Sequence, residues 1–452
     1  MVMNRYGKGT VPFSLRENRD SPPRRPGYTL VEMLVATALT LMMMYAVVSI
    51  FADIGEGVND SRAVLEMTER LRATTTRLQL DLAGITALPR PPRRVEFAEG
   101  YLEIKEGPNL DWSVSTTSNI AWDTDAARGD TTVGDFDDWV MFTTRSTGRP
   151  FHGRCASPSA PVGVIESDVA EVCWFVRGRT LYRRVLLVAP SAPIPTPSPA
   201  AGFYANNDIS VRYNAATGNV VPNTLADLTK RENRFAHFND PNAANGGFPH
   251  DVRGWGLYGL PTLGECSDPA WVAGAEAPPN SLPGTTQFDF WAVRPYPTDW
   301  NVDPDTGTMT AYSNGSRVGE DLVLTNVIGF DVRVYDPDVG GYVDLGTKGG
   351  RFGGFGEAKS QLVGSAATGR VYCTWSDSYE RDGIDQNGDG VPDAATNGFD
   401  DDGANGVDDV YERDTMPPYP RPLRGIQVKI RVFEPDSQQI RELSLTQDFL
   451  PK

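Results

Sequence analysis

The apolar positions of the chain begin with one unbroken run near the N-terminus. From Met33 to Ala52 the sequence reads MLVATALTLMMMYAVVSIFA, which is 20 residues without a charge. An α-helix rises about 1.5 Å per residue, so the run spans roughly 30 Å, the thickness of the hydrocarbon core of a bilayer. The pattern therefore predicts a transmembrane helix rather than a buried core helix.

Apolar side chains then recur at helical spacing among charged ones as far as about Leu88. This spacing predicts an amphipathic continuation of the same helix, with one apolar stripe available for burial. Pro89, Pro91 and Pro92 follow and should end the helix, because proline lacks the N–H that a helix needs. The stripe consists of Val58, Leu65, Leu71, Leu78, Leu82 and Ile85.

Beyond Val95 the pattern changes to short alternating stretches, which are typical of β-strands separated by turns. Residues 190–318 and 337–419 are rich in turn-forming residues and are predicted to be insertions. The predicted fold class is α+β, a long helix followed by a β-rich body. Strands are predicted at 138–143, 169–176, 180–188, 321–335, 426–432 and 440–445.

The distribution of charge predicts how the chain is oriented across the membrane. The 452 residues include 42 Lys and Arg against 59 Asp and Glu, a net charge of −17, so no nucleic-acid partner is expected. Residues 1–27 are the exception, with six basic and two acidic side chains. Positive charge before a single span keeps that end in the cytoplasm. The body should therefore lie on the extracytoplasmic side.

The front edge of the apolar run carries a more specific motif. A secretory signal usually has only 7–15 apolar residues and ends at a small-x-small cleavage site, whereas this longer run ends in SIFADIGEG. Neither a secretory signal nor a plain membrane anchor explains Gly27 followed, five residues on, by Glu32. The string RRPGYTLVEMLVATALTL resembles the signal of type IV prepilins.

This resemblance implies cleavage between Gly27 and Tyr28 by a prepilin peptidase, which also N-methylates the new terminus at Tyr28. Glu32 becomes the fifth mature residue. In prepilin-like proteins this glutamate is thought to pair with the N-terminal amine of a neighbouring subunit. Such pairing lowers the cost of holding a carboxylate inside the membrane.

A strand ending in FTTR is followed by a strand and LYRR hairpin, then by the strand VIGFDVRVYD, and last by a closing hairpin introduced by RPLRGIQVKIRV. This order resembles that of the J-class minor pseudopilin of type II secretion systems, with matches over about residues 24–88, 137–188, 319–336 and 420–450. It implies a pseudopilin-like domain in the periplasm, packed on the second half of the helix, and a single-pass inner-membrane protein that acts at the tip of a pseudopilus in protein export. The implied partners are other minor pseudopilins, the major pseudopilin and the inner-membrane assembly platform. The predicted segments are a leader (1–27), a transmembrane segment (28–52), its continuation (53–88), a first β part (95–189), an insertion (190–318), a core strand (319–336), an acidic insertion (337–419) and a C-terminal hairpin (420–452).

Two other functions remain open on the sequence. A minor pilin of a type IV pilus, for adhesion or DNA uptake, would share most of these features, although the acidic body weakens direct DNA binding. A membrane-tethered, calcium-dependent adhesive module would use the prepilin signal only for export. An enzyme is not expected, because the sequence has no G-x-S-x-G, H-E-x-x-H or phosphate-loop motif and only three histidines, His152, His237 and His250.

Residues 377–414 form a dense acidic stretch, with thirteen carboxylates against two arginines. Such density repels itself unless water or cations neutralise it. The string DQNGDGVPD fits the first nine places of an EF-hand-like calcium loop, although the twelfth place is Thr396. The loop resembles those of dockerins and thrombospondin type 3 repeats. The expected ligands are Asp385, Asn387, Asp389, the carbonyl of Val391, and Asp393.

A second, weaker loop follows, with Gly403 at a place where an oxygen ligand is normal. A solvated acidic loop with Asn-Gly turns is the alternative for both. The expected ligands of the second loop are Asp401, Asn405, the carbonyl of Val407, Asp409 and Glu412.

The four cysteines show no C-x-x-C spacing, so a zinc or redox site is not expected. An extracytoplasmic body permits disulfides, and four cysteines allow three connectivities. Cys155 with Cys173 is the most local pair. Buried free thiols are the alternative.

The calcium interpretation gives a first prediction. Calcium should raise the thermal stability of the chain, and Asp389→Ala should abolish the gain, because the loop loses a charged ligand. Melting curves recorded with calcium and with a chelator measure this, and identical curves for the unaltered chain would remove the prediction.

Overall fold

The structure is a computed structural model, and the part of the chain that it describes has several gaps. The basic leader before Gly27, His250 and much of the 190–318 insertion lie outside the described residues. Those described are 27–106, 135, 138–157, 160–198, 202–214, 217, 219–237, 260–267, 316–346, 355, 371–435 and 437–449.

The chain divides into two compact units, residues 1–61 and 62–452. In the first unit, helix α1 begins at Leu30, and its apolar part is entirely unburied. This part is long and apolar enough to cross a membrane or to serve as the apolar region of a signal sequence. The predicted apolar N-terminal helix is confirmed at this level.

Helix α1 (Leu30–Ala83) ends five residues before the predicted end at Leu88. The reason is a close contact at Gly84 with the strand that contains Arg145. The Arg145 N–H donates to the Gly84 carbonyl at 2.7 Å. A Cβ at Gly84 would lie only 2.2 Å from the Arg145 carbonyl oxygen, so the backbones can meet there only because glycine has no side chain.

The second unit is rich in antiparallel β-structure, as the α+β prediction requires. The described strands are β1 (Leu102–Lys105), β2 (Trp139–Arg145), β3 (Phe151–Ser157), β4 (Ala160–Ser167), β5 (Val169–Arg177), β6 (Thr180–Leu187), β7 (Val211–Asn214), β8 (Asn219–Pro222), β9 (Leu322–Leu324), β10 (Val327–Asp336), β11 (Gly341–Val343), β12 (Val371–Cys373), β13 (Gly425–Glu434) and β14 (Gln439–Asp448). Two larger sheets have the strand orders β12-β1-β2-β5-β6-β9 and β11-β10-β13-β14, and β3-β4 and β7-β8 form two-stranded sheets. The described residues also form two short helices, α2 (Leu225–Thr229) and α3 (Leu263–Cys266).

Both predicted hairpins are present, β5-β6 and β13-β14. The predicted strand at 321–335 is instead two strands, β9 and β10, in different sheets. The break falls at Asn326, whose φ of 57° is left-handed and incompatible with a continuous strand. Asparagine tolerates this conformation better than most residues.

One core joins the helix to both larger sheets. The buried stripe on α1 shares a single apolar cluster with one face of the six-stranded sheet and with Phe330, Val332 and Val428 of the four-stranded sheet. Asp81 fixes the helix in this position, since its carboxylate accepts hydrogen bonds from Trp174 Nε1 (3.0 Å) and Arg183 Nε (2.6 Å). The buried helix residues are Met67, Leu71, Thr74, Thr75, Leu78, Asp81 and Leu82.

A second core covers the opposite face of the six-stranded sheet. Strand β5 is buried along its whole length, which occurs when both faces of a strand are covered. The cover comes from the 190–318 insertion, whose described residues Phe203, Leu228, Phe235 and Leu263 belong to the same buried apolar cluster as Trp139. Parts of this insertion are therefore built into the body.

A buried ionic cluster ties the insertion to the sheet. Glu103 on β1 is inaccessible, and its carboxylate lies 2.6 Å from Arg234 Nη1, 3.2 Å from Arg231 Nη2 and 3.2 Å from His237 Nε2. Burial opposes the charge on Glu103, but Arg231, His237 and Arg234 hold its pKa well below the usual value. Removing one member of such a cluster leaves buried charges uncompensated.

Glu103→Gln should therefore destabilise the body by about 3–5 kcal/mol. The matched control is Glu166→Gln on β4, which breaks only an exposed contact with His152 and should cost less than about 0.5 kcal/mol. Urea unfolding in mild detergent, followed by tryptophan fluorescence, measures both. Equal stabilities of the two variants would contradict the anchoring role of Glu103.

Candidate functional site: the helix start and the acidic loops

The predicted processing site lies in extended chain immediately before α1. Gly27 has no neighbouring atom within 4 Å of where a Cβ would stand, and Tyr28 is 83% exposed. The peptide bond between them is thus accessible. The first helical residue, Leu30, follows two residues after Tyr28.

Glu32 has a local partner at the helix start. Its carboxylate oxygen Oε2 accepts hydrogen bonds from the Thr29 N–H (2.8 Å) and the Thr29 hydroxyl (3.0 Å). The Glu32 N–H in turn donates to the Thr29 hydroxyl oxygen at 3.1 Å. This is a capping box, which satisfies N–H groups that have no partner within the helix. The T-x-x-E spacing from Thr29 to Glu32 is the local sequence signal for it.

The acidic stretch folds as a series of tight turns in which carboxylates accept backbone N–H groups. In the first loop, Asp385 accepts from Gly388 at 2.6 Å and from Gly390 at 2.8 Å. Asp389 accepts from the Val391 N–H at 2.8 Å and from the Asn387 amide at 2.9 Å. The first and fifth positions of the predicted loop are therefore held on a compact turn.

The structure adds a carboxylate that the loop numbering did not predict. One ligand atom from each of Asp385, Asp389 and Asp414 lies within 4.8 Å of the others. Asp414 is only 1% exposed. Its Oδ2 accepts the Asp393 N–H at 2.7 Å, whereas Oδ1 is buried and has no hydrogen-bond partner.

The electrostatics of Asp414 follow from this position. Burial and the nearby carboxylates of Glu380, Asp389 and Asp385 raise its pKa to about 6, against the hydrogen bond from Asp393. A buried carboxylate surrounded by like charges is costly unless a cation or proton neutralises it.

Asp393, at position 9 of the predicted loop, is not a member of this group of three carboxylates. Its carboxylate accepts the Gly383 N–H at 2.9 Å.

The second loop brings together a set that differs from the predicted one. Glu412 groups with Asp400 and Asp402, while Asp401 and Asp409 lie outside that group. Backbone N–H groups of Asp401 (2.5 Å) and Asp409 (2.9 Å) donate to the two oxygens of Glu412. Burial opposes the charge on Glu412, but these backbone donors lower its pKa, so the glutamate already has its partners.

A third cluster of carboxylates lies in the β-rich body, and the sequence did not predict it. Glu106, Asp135 and Asp138 are all buried, with ligand atoms within 4.8 Å of one another. The Val332 N–H donates to Asp138 at 2.7 Å, and the Leu345 N–H donates to Glu106 at 3.1 Å. Glu106 lies 29 residues before Asp135 in the sequence, so no local motif could have shown that the three carboxylates come together.

The structure places the two cysteines of the most local candidate pair, Cys155 and Cys173, on different sheets. Both side chains are buried, and no bond joins them. Cys173 lies in the middle of the six-stranded sheet, where its registered neighbours are Met141 and Arg184. Cys155 lies on the separate β3-β4 hairpin. Closeness in sequence does not place the two on one sheet.

Comparisons with known proteins give no relative for this chain: no protein-family model, curated protein or solved structure matches it.

Proposed function

We propose that the chain is a minor pseudopilin, processed by a prepilin peptidase and assembled at the tip of a pseudopilus to support protein export. The observation that carries this proposal is one carboxylate, Glu32, in front of an uncharged helical segment in which no residue is buried. An exposed apolar surface of this size requires lipid or other apolar helices to cover it. In a protein that moves from the membrane into a filament, lipid would cover this surface first and the helices of neighbouring subunits would cover it afterwards.

The carboxylate would fix how far one helix is shifted along its neighbour. A charge in lipid is expensive and usually marks a function. Cleavage after Gly27 would expose the amine of Tyr28, and the amine of a neighbouring subunit would neutralise Glu32. Two neighbouring helices would then form this ion pair only when one is shifted along the other so that Glu32 meets the amine of Tyr28. The capping box does not conflict with this role, because a carboxylate has several lone-pair positions.

The rest of the molecule supports an assembly role. The apolar stripe of α1 over residues 67–82 is buried in the core of the β-rich body. This part of the helix is therefore already covered by its own chain. The proposed partners are other minor pseudopilins, the major pseudopilin and the inner-membrane assembly platform, with the body in the periplasm. The chemistry is recognition and packing, and no turnover is proposed.

Two substitutions separate the charge of Glu32 from its capping role. Glu32→Gln removes the charge but keeps a residue that completes a capping box, and we expect it to abolish capture of the other pseudopilins. Thr29→Ala removes the capping hydroxyl and keeps the charge. It should cost the helix about 1 kcal/mol and leave capture intact.

The measurement is co-purification of the full chain from membranes with the pseudopilins of its own organism, after cross-linking. Equal capture by Glu32→Gln and the unaltered chain would contradict the proposal. Capture of type IV pilins in place of pseudopilins would reassign the chain to a pilus.

A further inference from the structure

We propose that Asp414 completes a calcium site in the first acidic loop, with Asp385 and Asp389 as the other charged ligands. Three carboxylates from two distant segments converge there, within 4.8 Å. Asp414 lies 29 residues after Asp385 and belongs to no loop motif. The site is independent of the proposed export role.

The buried oxygen of Asp414 points to a ligand. Asp414 Oδ1 has neither water access nor a hydrogen-bond donor. An isolated buried carboxylate oxygen costs several times more than a paired one. The other two members of the group do not relieve this cost, because half-buried Asp385 and exposed Asp389 present further negative charge to it. A cation between the three carboxylates removes both penalties.

The donor set selects the class of ion. All the converging groups are oxygens, and the described chain brings no histidine or cysteine into the group. Oxygen ligands favour hard cations such as calcium, which accepts six to eight of them at about 2.3–2.6 Å in flexible geometry. Water and a loop carbonyl would complete the shell. Magnesium demands a near-ideal octahedron and fits a turn of this kind less well.

The position of Asp414 gives the ion a structural consequence. The next residue, Thr415, donates its hydroxyl to Glu380 at 2.6 Å and accepts the Trp375 indole N–H at 3.2 Å. Glu380 also accepts the Asp414 N–H at 3.0 Å. An ion bound to Asp385 and Asp414 therefore fastens the loop to a segment that is already tied to the body next to β12. Closing a loop of this length from both ends restricts it.

The test compares Asp414→Asn with Asp408→Asn in the full chain in detergent. Asp408 is exposed, lies outside all three carboxylate groups, and loses the same unit of charge on substitution. We expect added calcium, with no other ligand present, to raise the melting temperature of the unaltered chain and of Asp408→Asn. In Asp414→Asn the calcium midpoint should move upward by at least about ten-fold, since even outer partners of a metal cost that much.

The chelated state provides an independent readout. Without the ion, Asp414→Asn relieves repulsion among three carboxylates, so its melting temperature should equal or exceed that of the unaltered chain. With calcium the order should reverse. This crossing excludes misfolding as the cause of lost binding. Asp385→Asn should lose calcium binding in the same way.

Three results would overturn the inference: no calcium shift in the unaltered chain, a midpoint for Asp414→Asn within two-fold of the unaltered value, or an equal shift with magnesium at the same concentration.

Discussion

The structure depends on how the apolar surface of one continuous helix is covered. Over its second half the cover is visible, since residues 67–82 share a core with both larger sheets. Over its first half the apolar side chains are exposed and require a membrane or other helices. The same element thus contributes one stretch to the core of the β-rich body and leaves another, apolar stretch unburied.

Two buried carboxylates join segments that are far apart in the sequence. Asp81 joins helix to sheet through Arg183, and Glu103 joins the insertion to the sheet through Arg231 and Arg234. Each of these acids has cationic partners in the chain, which makes its burial tolerable. Asp414 differs because its neighbours are acids, and that difference is the physical reason for assigning it an ion.

Much of this architecture was predictable, and the limits are physical. Periodicity identified α1 and the β5-β6 and β13-β14 hairpins, because their partners are local or their apolar pattern is strong. Strands β1 and β12 were missed since each is short and is defined only by pairing across the chain. The sequence also could not show where the cysteines lie, because Cys155 and Cys173 are close in sequence but belong to different sheets. Loop numbering placed Asp385 and Asp389 together, but it could not supply Asp414, which tertiary folding alone brings near.

The proposed function rests on a carboxylate that becomes useful only after the chain is cut in front of Tyr28. Mass spectrometry of the N-terminal peptide of the protein isolated from its native membrane tests this directly. The expected product begins at Tyr28 and carries a methyl group on its amine. A terminus that is uncut, or that begins at any other residue, would contradict the assignment.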